Sequence, residues 1–284
     1  MFRHSQGQIS GTRSLSFFSS DDLPKIPDVI QTYSYTGANQ DILVPAGYSS
    51  CEYIIWGAAG SRAFQTTFKI ASAGGSTTGI LAVTGGETLI AIVGEGGLSC
   101  NSANLSRAGG YGGAGSISTP LASILPGRGG GRSAIRRAST ELATAGGAGG
   151  GAYPGTAAGV GGGTTGGASG ASGGGTQSAG GAGSIGNAGN ATSGTAFQGG
   201  NGGGYGGSGG GGFFGGGGGA NATGNAGGGG GSGFAGGTSA LTYQGVGATP
   251  PLNTDPRYPG GGVGTSNDTN DQAGHGFIHL RFFI

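Results

Sequence analysis

The sequence predicts an all-β fold, an antiparallel sandwich broken by a long insertion of packed, extended glycine helices. Three features carry this expectation. Short runs rich in aromatic and β-branched residues stand near both ends of the chain, bounded by glycine-rich turns. Apolar spacing of the helical kind appears nowhere. And 78 of the 284 residues are glycine, most of them gathered in one charge-free block.

Tyr33-Ser34-Tyr35-Thr36 alternates, and Ile42-Leu43-Val44-Pro45 follows before a turn at Ala46-Gly47. Glu52-Tyr53-Ile54-Ile55-Trp56 is the strongest strand, and it stops at Gly57. Ala63 to Ile70 and Thr77 to Thr84 come next. Gly85-Gly86 then leads into Glu87 to Val93, which predicts a hairpin because both central residues can take positive φ. Arg132 to Arg137 and Thr140 to Thr144 form another short pair around Ala138-Ser139. The last ten residues, His275 to Ile284, alternate with large apolar groups on both faces, which predicts burial on one face and partial cover on the other.

Between these blocks, Leu142 to Thr254 contains no Asp, Glu, Lys or Arg, and about half of 146–237 is glycine. One reading is a flexible linker, but Tyr153, Phe197, Tyr205, Phe213, Phe214 and Phe234 are spread through it. The favoured reading is an array of polyproline-II-shaped glycine chains, with three residues per turn and no internal hydrogen bonds. Without side chains, neighbouring chains can approach closely and satisfy one another's buried N–H and C=O groups. The missing charges fit, because a charge buried there could not be solvated. The expected organisation is an arm over 1–30, sandwich strands over 31–145, the insertion over 146–237, and a connection with the closing strand over 238–284.

Composition excludes several classes. Collagen fails, because no strict Gly-X-Y period exists and there are ten prolines. Charged residues are 8 per cent of the chain, unlike charge-rich disordered tails. A net charge of +1 offers no field for nucleic acid or an anionic membrane, and no apolar run reaches the ~18 residues of a bilayer span. Met1 to Ile30 lacks the apolar core of a conventional signal peptide, which points to a virion protein assembled in a cell or to another export route. Pro24 and Pro27 make Ser14 to Asp28 an extended segment. Phe17, Phe18, Leu23 and Ile26 are then candidate anchors of an assembly arm, the alternative being a frayed terminus. Cys51 and Cys100, the two cysteines, are expected as buried free thiols rather than a disulfide.

The residues also resemble a known family. Val44-Pro45-Ala46-Gly47 followed by Tyr53 to Gly60 (YIIWGAAG) resembles the opening of a widespread glycine-rich domain. So do Gly79 to Leu89, Gly94-Glu95-Gly96-Gly97, Gly131 to Arg137, Thr140 to Gly147, and the closing Gly274-His275-Gly276-Phe277-Ile278. Such domains occur in microbial and viral surface proteins and in the ectodomain of the anaplastic lymphoma kinase receptor. The resemblance covers about 31–284 and implies a jelly-roll-like sandwich with an inserted bundle of polyglycine II helices. It implies no catalytic residues, and Cys51 and Cys100 depart from its pattern. The block is also similar, more distantly, to the glycine-rich tip adhesins of tailed phages.

Chemistry-bearing residues are sparse. His275 and His279 would share a strand face at ~13 Å, too far apart for one metal, so packing is the expected role. Lys25 and Lys69 are the two lysines and neither follows a glycine, so no phosphate-binding loop is present. Matches to GxSxG and GxGxxG arise by chance in so glycine-rich a chain. Seven Asp and four Glu are too scattered for a glycosidase pair. Arg128, Arg132, Arg136 and Arg137 form one cluster, expected as a solvated strand face or a partner for acids of another subunit; nucleic-acid binding is the remote alternative. Asn104, Asn190, Asn221 and Asn267 lie in N-x-[ST] sites.

Tyr205, Phe213, Phe214 and Phe234 are the candidate ligand-binding residues. They either wedge between glycine helices or form a patch that stacks on a ligand. The expected function is a non-enzymatic structural or surface protein of a virion or extracellular assembly. Its expected partner is itself or a neighbouring shell or capsid protein, with no metal or cofactor. The alternative is recognition of a host-surface glycan or receptor.

Overall fold

The computed structural model describes residues 26–63, 72–101, 103–119, 125–152, 157–187, 189–220, 226–266 and 272–284. Among them lie twelve strands and no helix. β1 is Val29–Ser34, β2 Gln40–Leu43, β3 Ser50–Trp56, β4 Ser76–Ala82, β5 Thr88–Ile92, β6 Ser106–Arg107 and β7 Ile117–Ser118. β8 is Ser133–Arg137, β9 Thr140–Ala145, β10 Phe234–Ala235, β11 Thr238–Tyr243 and β12 Phe277–Phe283. One five-stranded antiparallel sheet has the order β1-β12-β3-β4-β11, and the other β10-β9-β8-β5-β2. Their inner faces meet in one core. Cys51, Tyr53, Ile55, Ile278, Leu280 and Phe282 come from the first sheet, and Ile42, Leu89, Ala91, Ile135 and Ala143 from the second. The expected all-β class is therefore met, with two antiparallel sheets packed as a sandwich.

The closing strand behaves as its alternation requires. Ile278, Leu280 and Phe282 enter the inter-sheet core, while Phe277 joins Ile54 and Trp56 on the outer face. The short pair around Ala138-Ser139 is β8 and β9, with Arg137 opposite Thr140 and Ala138 at φ 52°. Both cysteines are buried free thiols.

The hairpin expected at Gly85-Gly86 does not form. Gly86 does take φ 84°, and the Glu87 amide does close the turn on the Thr84 carbonyl. But β4 pairs with β3 and β11, whereas β5 pairs with β2 and β8. The turn crosses from one sheet to the other because Leu81 and Leu89 both seek the same core from opposite sides. His275 precedes β12 rather than lying in it, so the two histidines do not share a strand face. The strand expected over 63–70 falls, after Ala63, outside the described residues.

The chain leaves β9 at Gly146, and β10 later pairs with β9 through Phe234 and Ala235. Its described part carries neither helix nor extended strand before β10, yet many of its glycines are buried. Backbone bonds repeat there every third residue. The amides of Gly147 and Gly150 bond Gly211 and Ser208, while those of Ala148 and Gly151 bond Ala58 and Ser61, and that of Gly149 bonds Gly159. Gly228 and Gly231 return bonds to Gly150 and Gly147, and Gly216 and Gly219 bond Gly210 and Gly207. A segment thus bonds different neighbours in rotation, which satisfies the buried N–H groups without a sheet. The net also includes 57–61 and 127–131, outside the insertion. The packing leaves no space for side chains: a Cβ built on Gly60 would lie 1.8 Å from the Gly149 carbonyl oxygen.

Candidate functional site

The largest gathering of aromatic rings in the glycine block sits on the outer face of the second sheet. β9 and β8 pair with a register shift. Ile135 opposes Ala143, but Arg136 opposes Glu141, so Leu142 is one extra residue. Such a bulge resets the in/out alternation. Leu142 packs toward the core, and Glu141 turns outward beside Thr144, Arg132 and Arg136. Arg132 donates to Glu141 through Nε at 3.2 Å and Nη2 at 2.9 Å, and Thr144 donates its hydroxyl to the other carboxylate oxygen. Arg132 Nη1 donates to the Gly112 and Phe197 carbonyls.

Over this pair lies Phe197, whose ring centroid is 4.9 Å from the Arg132 guanidinium carbon. Phe213 meets Phe197 edge-on at 6.1 Å, meets Phe214 edge-on at 5.5 Å, and stacks on Phe234 at 4.5 Å. The four rings are half-buried. β10 holds Phe234 against Thr144, and the Phe213 and Phe214 amides are fixed by the Ser232 carbonyl and hydroxyl. The structure brings together three of the four expected ligand-binding residues, Phe213, Phe214 and Phe234. It adds Phe197 and Arg132. Tyr205 stands apart, following Gly203 and Gly204, which pack against Gly189 and Asn190 at the far end of the segment.

The arginine cluster divides: Arg136 and Arg137 reach solvent, but Arg128 and Arg132 do not. The Arg128 and Arg132 side chains are 5 and 9 per cent exposed and pair with Glu95 and Glu141 of the same chain. Arg137 pairs with Glu87 nearer the surface. The solvent-facing reading fails for Arg128 and Arg132 because their carboxylate partners are remote in sequence or displaced by a bulge.

Of the arm anchors, Phe17, Phe18 and Leu23 lie outside the described residues, and Ile26 is exposed. His275 accepts a hydrogen bond on Nδ1 from the Gly96 amide and stacks on Tyr35 with centroids 4.2 Å apart. His279 is buried on the outer face of β12, and burial first and Arg257 second hold its pKa below the ordinary value. Asn104 and Asn190 are exposed, while Asn221 and Asn267 lie outside the described residues. Among the described residues no three His, Cys, Asp or Glu side chains gather as a metal set, and no helix is long and apolar enough to cross a membrane. No protein-family model matches the chain, and no curated protein matches it as a relative.

Proposed function

We propose that this protein is a non-enzymatic structural component of a virion or extracellular surface assembly, with a stiff body of polyglycine II helices inserted in a jelly-roll-like sandwich. The observation that carries this reading is the three-residue rotation of backbone bonds through Gly147–Gly151, Gly216–Gly219 and Gly228–Gly231. Three residues per turn is the repeat of the polyproline II shape, and bonding outward to separate neighbours is what a helix lacking internal bonds requires. Cross-linking so much backbone through buried contacts favours rigidity over any moving site. Membership of the glycine-rich domain family belongs to the same proposal, and so does assembly with itself or a shell protein through the arm over 1–30. Hydrogen exchange read by mass spectrometry tests the body: amides across 146–237 should exchange as slowly as those of β3 and β12. Fast exchange with ready proteolysis there would overturn it. Imaging of the native assembly should place the chain on the particle surface, and a purely soluble chain would sink the assembly reading.

A second reading, recognition of a host-surface glycan or receptor, is favoured by the half-buried Phe197, Phe213, Phe214 and Phe234 over Arg132. Phe213→Ala/Phe214→Ala should abolish cell or glycan-array binding on this reading. Binding equal to that of the unmodified protein would remove the cluster as a site. The burial of Arg128 and Arg132 counts against nucleic-acid binding, which would require an affinity that falls steeply with salt; a flat response rejects it.

A further inference from the structure

We propose that the segment 250–264 is an acid-released cover over the Trp56 face of the sandwich, with His279 beneath it as the proton sensor. The inference goes beyond the structural role above and does not depend on it. The cover meets the body through an apolar cluster, an ion pair and hydrogen bonds near its two ends. Leu252, Tyr258 and Val263 pack on Ile54, Trp56 and Phe277, and the Trp56 indole N–H donates to the Pro251 carbonyl at 2.9 Å. Arg257 bridges Asp255 within the cover to Glu52 on β3, each at 2.9 Å. Leu252 is held at φ 57°, a conformation that costs energy in a residue other than glycine and that tertiary contacts must sustain. At the far end, Gly260, Gly261 and Gly262 have positive φ and form the hinge, and beyond them Gly264 is anchored, accepting from the Gly74 amide and donating its own to the His275 carbonyl.

His279 lies on β12 between Ile54 of β3 and Thr32 of β1, on the same face as Phe277 and Arg281. It is 9 per cent exposed. The charged groups facing it are Glu52 of β3, Asp255 and Arg257 of the cover, and Arg281 of its own strand, which also bonds Glu52 and Asp28. Glu52 and Asp255 are already engaged by arginines, so a new imidazolium must compete with Arg257 for them. Burial beneath the cover disfavours the charged ring, and by linkage the charged ring disfavours the cover. The proton therefore binds the uncovered form more tightly, which is the requirement for a population shift.

Trp56 is the one tryptophan of the chain, so its emission reports the cover directly. In the full-length protein, lowering the pH from 7.5 to 5 should shift Trp56 emission to the red and raise its quenching by acrylamide. Far-UV circular dichroism should stay unchanged. His279→Gln should abolish the shift, and His275→Gln should leave it intact. Should His279→Gln fold poorly, exchange of the 250–264 amides in the unmodified protein, corrected for intrinsic rates, should rise at least about tenfold at the lower pH. Emission that stays constant over this range, an equal shift in His279→Gln, or unchanged exchange in 250–264 would each overturn the proposal.

Discussion

Arg132 Nη2 lies 2.9 Å from Glu141 Oε1, with both side chains withdrawn from solvent. The pair exists because Leu142 is one residue too many for the β8–β9 ladder and turns Glu141 outward. Removing one partner leaves the other charged, buried and unpaired. Glu141→Gln should cost about 3–5 kcal/mol, read from the urea midpoint. Replacing both, as Arg132→Met/Glu141→Leu, should cost less than the single change. A single change as mild as a surface substitution would mean that water reaches the pair.

Glycine in the insertion should be irreplaceable for reasons of space. A Cβ on Gly230 would lie 1.9 Å from the Val160 carbonyl oxygen, with backbone on the far side unable to yield. Gly230→Ala should destabilise by about 3 kcal/mol or more. Gly47 is the control: it has φ 87° and nothing within 4 Å of a built Cβ, so Gly47→Ala should cost about 1–2 kcal/mol in backbone strain alone. Equal melting-temperature losses would contradict the close packing.

These two cases mark what the sequence could and could not reveal. β3 was legible because Tyr53-Ile54-Ile55-Trp56 is aromatic and β-branched throughout, and β12 because Phe277 to Phe283 alternates with a period of two. Gly85-Gly86 announced a turn but not its destination, since a tight turn serves a hairpin and a sheet crossing equally. β11 escaped notice because Thr238–Tyr243 is polar and follows glycine. The aromatic cluster was legible in Phe213, Phe214 and Phe234. Phe197 joined it through a turn at φ 65°, and Tyr205 fell at the wrong end of its segment. The Arg132–Glu141 pair required a bulge that no residue pattern announces.

The cysteines should be inert in the native state. Burial pushes the Cys51 thiol up to about 12, helped by Glu52. Burial likewise raises Cys100 to about 11, although Arg107 pulls the other way. The thiolate is the reactive form and is nearly absent from either at neutral pH. Titration with a disulfide reagent at pH 7.5 should find no fast thiol in the folded protein and two after denaturation. A rapidly labelled thiol in the native protein would show that one of the two sites opens.

Acid should destabilise the fold through a chain of charges. Asp28, Arg281, Glu52, Arg257 and Asp255 alternate in sign from the residue before β1 through β12 and β3 to the 250–264 segment. Burial works to raise the Glu52 pKa, but hydrogen bonds and charge from Arg257 and Arg281 outweigh it and hold the carboxyl below its ordinary value. The Arg257 hydrogen bond does the same for Asp255, and the Arg137 hydrogen bond for Glu87. A carboxyl with a lowered folded-state pKa stabilises above its unfolded pKa, and that stability is lost as pH falls through the folded value. His275 adds in the same direction: burial lowers its pKa, so the unfolded chain takes up the proton first. The melting temperature should therefore decline gently below about pH 6.5 and more steeply below about pH 4.3. These pairs are partly solvated, so each should contribute no more than about 1 kcal/mol, and salt should flatten the lower limb. Glu52→Gln should remove part of that limb by freeing both Arg257 and Arg281 at once. A melting temperature that rises on acidification would reverse the sign and refute the assignment.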